Sequence, residues 1–195
     1  RTYIRTTNRY SLLLLAALAT ALSCNAAGVL GLVYPVEYSS GGPTLTILAI
    51  GYAFLAAAVI NASILTASGR PAWAVGLFVV TLGASALLNV VLVPRLGGIG
   101  AATAAAISMG IGFVVAAALT WRRFKVFVAP MTLLRIGVAA AATWALGEWV
   151  IPTGGKAMTL LRGTLQFAGF WLILVATREL TKADLTGLRA ARKRS

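Results

Sequence analysis

The basic residues of this chain sort to alternate ends of a series of apolar stretches, and no other feature restricts its fold as much. Six hydrophobic segments can be drawn, 11–33, 44–67, 72–93, 98–121, 131–151 and 157–177. Each holds about the twenty residues that a helix rising ~1.5 Å per residue needs to cross ~30 Å of hydrocarbon. With the first segment running outward, the cytoplasmic flanks are residues 1–10, the loop at Arg70, the loop 122–130 and the tail from Arg178. These flanks collect Arg1, Arg5, Arg9, Arg70, Arg122, Arg123, Lys125, Arg178, Lys182, Arg189, Arg192, Lys193 and Arg194, 13 of the 17 basic residues. The outer loops hold Arg95 and Lys156, while Arg135 and Arg162 fall inside segments. Loops rich in Lys and Arg stay on the cytoplasmic side. The expected fold is therefore all-α and polytopic: six transmembrane helices within residues 1–177, both termini cytoplasmic, and a basic cytoplasmic tail over 178–195.

Composition closes off the soluble classes. The chain is 59% hydrophobic with a mean hydropathy of +0.90, against roughly 45–50% apolar in an ordinary globular domain. A net charge of +13 would suggest nucleic acid in a soluble protein. Here the charge is spread over four loops of one face, which suits anionic lipid headgroups and topology control instead. Membrane lipids are thus expected partners, and nucleic acid is not. The single cysteine, Cys24, lies in an apolar segment, so no internal disulfide is available. Histidine is absent, which removes the commonest general base and metal ligand. No metal or cofactor is expected. The first apolar stretch is too long for a signal peptide and lacks a cleavage-like end. The chain opens with Arg1 rather than Met, and the expectation is an excerpt of something longer.

Punctuation along the chain supports the same boundaries. Pro35, Pro43, Pro71, Pro94, Pro130 and Pro152 all fall between the segments or at their edges, where a missing backbone donor is least costly in lipid. Tyr10, Trp73 and Trp121 are placed at the inner interface and Tyr34, Tyr38 and Trp149 at the outer one, as belt anchors. Gly100, Ala104, Ser108 and Gly112 recur every four residues on the fourth segment, and Gly137, Ala141 and Ala145 on the fifth. Both stripes are expected to be packing surfaces, because small residues let membrane helices approach closely. In the tail, Thr181 precedes Asp184 by three residues with Leu180, Leu185 and Leu188 nearby, a pattern open to a short interfacial helix or a solvated tail.

Polar groups inside the membrane are the natural functional candidates, since each is costly unless paired or wetted. They are Asn25, Asn61, Asn89, Arg135, Glu148, Arg162 and Gln166. Glu148 and Arg162 fall ~9 and ~12 Å deep on antiparallel neighbours when helical rise is counted from the turn at Gly154 and Gly155, so an ion pair is predicted, acting as a hairpin clamp or in transport. Arg135 can snorkel to lipid phosphate. Asn61 and Asn89 are expected to hydrogen-bond across helix interfaces. These two, with Arg135, Glu148 and Arg162, are the candidate transport residues. Catalysis is not expected: Glu37, Glu148, Glu179 and Asp184 are scattered over both membrane faces and supply no acidic cluster for metal or base.

The motif order adds a family resemblance. ILTASGR at residues 64–70 leads into a helix that ends in LLNVVLVPRLGGIGAATAAAIS at 87–108. This resembles the second half of polysaccharide-export flippases of the multidrug/oligosaccharidyl-lipid/polysaccharide exporter superfamily. TLLRIGVAAA at 132–141 is similar to the opening of their last two helices in the lipid II flippase branch, and RELTKADLTGL at 178–188 to the closing segment of many such exporters. The resemblance implies that the six helices are the last of a two-lobed flippase of 12–14 helices, the ninth to fourteenth where there are fourteen. It further implies a flippase of a bacterial or archaeal cytoplasmic membrane that moves a polyprenyl-pyrophosphate-linked oligosaccharide by alternating access, driven by an ion gradient or membrane potential. The alternative is a non-catalytic six-helix scaffold of a cell-surface polysaccharide synthesis complex, with glycan-assembly enzymes as partners.

Overall fold

In a computed structural model the described residues, 2–125, 130–150 and 156–176, are almost all helical. The helices are α1 (Thr2–Cys24), α2 (Ala26–Val33), α3 (Gly42–Ala67), α4 (Pro71–Phe124), α5 (Pro130–Val150) and α6 (Lys156–Ala176), with a 3₁₀ turn over Val36–Gly41 between α2 and α3. Among the described residues three helices are long and apolar enough to cross a membrane, or four if α1 and α2 form one bent span; Leu134–Ala145 on α5 is a shorter apolar stretch. The tail features around Thr181 and Asp184 lie outside the described residues.

One element departs from the expected segmentation. The first segment bends by 76° between Cys24 and Ala26, so it forms α1 and α2 rather than one rod. The third and fourth segments form the two arms of α4. At ~1.5 Å per residue its 54 residues would run to roughly 80 Å, far beyond one bilayer. The helix folds back on itself instead. Pro94 is carried inside the helical run, and the break falls at Gly97, at φ 56 and ψ −132. That combination is reserved almost entirely for glycine, which is why the reversal sits there rather than at the proline. Gly100 then lies against the backbone carbonyl of Leu92, leaving no room for a Cβ.

Prolines elsewhere mark starts. Pro43 and Pro71 occupy the first turns of α3 and α4, where the missing N–H would have no helical partner anyway. Gly69 at φ 81 closes the turn between those helices.

Packing divides into two bodies joined along α1 and α3. In one, Leu13 and Ala17 of α1 meet Ala139 of α5 and Phe170 and Leu174 of α6. In the other, Ala58 and Ala62 of α3 meet both arms of α4 through Ala74, Leu77 and Ala116. The stripe on the second arm behaves as expected: Gly100, Ala104, Ser108 and Gly112 are all buried, and the burial continues through Ala116 and Thr120. Part of it faces the chain's own first arm, with Gly112 held against the Thr81 side chain. Gly51 of α3 packs on the second arm, where a Cβ would come within 2.8 Å of the Ala106 Cα.

The α5 stripe is a correction. Gly137, Ala141 and Ala145 are exposed, and nothing lies within 4 Å of where a Gly137 Cβ would stand. The face that packs is Ile136, Ala139 and Ala140, with Thr143 buried one turn on. Leu134, Val138 and Trp144 are exposed as well, so the packed side of α5 is set by which residues face α1 and α6 and not by residue size.

Candidate functional site

The bend between α1 and α2 gathers the most heavily invested polar chemistry in the structure. Breaking a helix in an apolar setting strands backbone groups that water cannot satisfy. Side chains supply the replacements. Asn25, at φ −120 and ψ 17 on the break, donates its Nδ2 to the Ala21 carbonyl at 3.1 Å and also to Gln166 Oε1 of α6. Thr46 of α3 donates its hydroxyl to the Ser23 carbonyl at 3.1 Å, and Ser23 returns a longer bond of 3.5 Å to the Thr46 carbonyl. Close packing completes the join: a Cβ on Gly28 would meet the Thr159 side chain at 2.7 Å, and Gly163 sits beneath the Asn25 amide.

α6 presents a single buried ridge to this region. Arg162, Gln166, Phe170 and Leu174 recur every four residues and are all buried, so they lie on one helix face. Arg162 is only 7% exposed and Gln166 3%. A buried guanidinium and an amide therefore stand one turn apart on the ridge that meets the broken helix. Broken helices flanked by buried polar groups are how many membrane transporters build binding or gating sites.

Of the five candidates drawn from the sequence, Arg162 alone is on this ridge. Asn61 lies elsewhere, on the seam of α1 and α3. Its Oδ1 accepts from Asn8 Nδ2 at 3.2 Å and its Nδ2 donates to the Ala57 carbonyl at 2.9 Å. The expected bond across a helix interface is thus made. Asn89 is a correction: its Nδ2 donates to the carbonyl and hydroxyl of Ser85 in its own helix, at 2.8 and 3.3 Å. Counted from the Thr81–Gly112 contact, Asn89 stands level with Ala104 on the facing arm, whose methyl group offers no hydrogen-bond partner. Arg135 is half-buried near the start of α5. Glu148 falls on α5, but its side chain, and with it the predicted pair with Arg162, lies outside the described residues.

Asn25 and Gln166 were visible in the sequence as polar residues in apolar segments, yet their partnership was not. They are 141 residues apart, and only the bend brings them together. Asn8 was hidden more deeply, in what reads as a cytoplasmic flank, because α1 begins nine residues before the apolar segment does.

An apolar groove accompanies the polar bend. Thr20, Ser23 and Cys24 of α1, Phe54 of α3 and Ile136 and Trp144 of α5 line a cavity of about 430 Å³ that opens to the surface between the three helices. Among the described residues no group of three or more Cys, Asp or Glu could hold a metal ion.

The fold has a counterpart among solved structures. The chain superposes on the lipid II flippase MurJ, solved in an inward closed conformation, with a TM-score of 0.67 over 92% of its length. The chain shares its fold with part of MurJ. Sequence identity is 15%, and the match spans 38% of the MurJ chain. No family model matches the sequence, and no curated protein matches it. The MurJ likeness upholds the all-α, multi-pass membrane architecture expected from the charge pattern. The solved neighbour is a transporter rather than an enzyme.

Proposed function

We propose that this chain is part of a flippase for a lipid-linked substrate, and that the substrate is a polyprenyl-pyrophosphate-linked oligosaccharide crossing a bacterial or archaeal cytoplasmic membrane. The observation that carries the reading is the MurJ fold over 92% of the chain. Two features of the chain itself support it. The groove between α1, α3 and α5 is apolar along its walls and open at the surface, the character needed to hold an isoprenoid chain while the head travels. The polar bend at Asn25 supplies a jointed helix beside a buried arginine, the sort of element on which alternating access turns. Head-group charge demands further cations in a wetted cavity, and the 38% span on MurJ leaves room for them in a companion lobe.

The test is transfer of a fluorescent polyprenyl-pyrophosphate disaccharide across proteoliposomes made with the protein as its host produces it. Protein-dependent loss of the label to an outside quencher supports the reading. Flux no greater than in empty vesicles, with stable co-purification of glycosyltransferases, would overturn it in favour of the scaffold.

A further inference from the structure

The foot of the α4 hairpin concentrates positive charge in segments that contain no acidic residue. Its two arms run antiparallel, since Thr81 faces Gly112 and Ala74 and Leu77 cluster with Ala116. Counting eight residues from the Thr81–Gly112 contact puts Trp73 level with Thr120, and so with Trp121. Both indoles are exposed, at 40% and 53%. Each carries a cation over its ring: the Arg70 Cζ stands 5.4 Å from the Trp73 centroid and the Lys125 Nζ 4.8 Å from that of Trp121. Arg122 and Arg123 occupy the last turn of the same arm. No Asp or Glu occurs anywhere from residue 38 to residue 147, which covers α3, α4 and the loops beside them.

We infer that this foot is a binding site for an anionic phospholipid of the cytoplasmic leaflet, its phosphate taken by Arg70 and Lys125. Four like charges at one helix-pair end repel one another unless an anion lies among them. The indoles sit at headgroup depth and hold two of the cations over their faces, so the charges are fixed at the level of lipid phosphates rather than free in water. The acyl chains would then lie along the exposed Val75 and Phe78 of the first arm. The inference needs only the membrane orientation read from the charge pattern and stands apart from what the chain transports.

The test uses the full chain with Trp144, Trp149 and Trp171 changed to Phe, so that Trp73 and Trp121 report alone. It is reconstituted in phosphatidylcholine with a minor share of brominated phosphatidylglycerol, or in the reverse mixture with brominated phosphatidylcholine. Enrichment of the anionic lipid by about fivefold or more at the two indoles is expected, the scale set by one well-placed surface cation. Arg70→Gln/Lys125→Gln should abolish the enrichment, whereas Arg1→Gln/Arg5→Gln, which removes equal charge from the same face, should preserve it. Arg122 and Arg123 are kept to hold the topology, verified by side-specific labelling of Cys24-free cysteine variants. Equal quenching by both lipids would overturn the inference. So would enrichment lost equally in both charge variants, which would reduce the site to general surface charge, or enrichment that emerges only after Glu179→Gln/Asp184→Asn, which would make the tail the occupant.

Discussion

Asn25 donates its side-chain amide to Gln166 across the join of the broken first helix and α6. The same amide nitrogen also caps the Ala21 carbonyl freed by the break, so one side chain both finishes a helix and ties it to a neighbour. Gln166 answers with its oxygen, while its Nε2 is buried and has no hydrogen-bond partner among the described residues. Leaving such a donor unpaired costs about 1–3 kcal/mol. A jointed element can bear that cost if the donor is used in a second arrangement, when α2 swings relative to α1.

The pair should therefore couple energetically. Asn25→Ala and Gln166→Leu are each expected to lower stability by roughly 1 kcal/mol, and the double variant to lose less than the sum, by about 0.5–1.5 kcal/mol. Unfolding in mild detergent measures the cycle. Strict additivity would show that the bond contributes nothing.

The two asparagines that look equivalent in the sequence should separate. Asn61 is 2% exposed and joins α1 to α3 through Asn8, so Asn61→Ala strands the Asn8 amide and is expected to cost about 1–2 kcal/mol. Among the described residues Asn89 bonds within its own turn, and Asn89→Ala should cost under ~0.5 kcal/mol. Similar losses for both, read by thermal unfolding, would contradict this division.

Glycines offer a matched comparison for the reversal of α4. Gly97 holds a backbone conformation closed to side chains, so Gly97→Ala should destabilise by about 1–3 kcal/mol. Its neighbour Gly98 has open space where a Cβ would go and no such backbone demand, so Gly98→Ala should be neutral or gain a few tenths of a kcal/mol from helix propensity. The same contrast applies to Gly51→Val, which would strike the Ala106 backbone, and Gly137→Val, which would meet nothing. Indistinguishable melting temperatures within either pair would refute the packing described.

These contrasts also mark how far the sequence could be read. Charge placement and segment length foretold an all-α membrane chain because both follow from the cost of moving charge and backbone through hydrocarbon, a local property of each stretch. The stripe at Gly100 to Gly112 was legible for the same reason. The identical-looking stripe at Gly137 to Ala145 misled, because a periodic face tells which residues share a side and not which neighbour that side meets. Pro94 marks the gap between the third and fourth segments, and the backbone breaks within that gap, at Gly97. The polar site was the least legible part. Asn25 and Gln166 each register as isolated polar residues, and their bond depends on a 76° bend that no pattern of apolar residues encodes.

The groove gives the proposal about substrate its sharpest handle. Its walls include Ala53 of α3 and Ala140 and Ala141 of α5, and Ala141 is exposed on the face that does not pack. Replacing Ala141 with Phe would place a ring in a cavity of about 430 Å³ without displacing any core side chain. If the groove receives a polyprenyl tail, Ala141→Phe should cut flux of the labelled glycolipid severalfold while leaving the melting temperature within a degree or two, since an exposed substitution of this kind changes stability by about 0.5 kcal/mol or less. Ala145→Phe, on the same exposed stripe but absent from the groove lining, is the matched control and should transport normally. Undiminished flux in Ala141→Phe would remove the groove from the transport path, and a loss shared equally by both variants would trace the defect to the outer face of α5 instead.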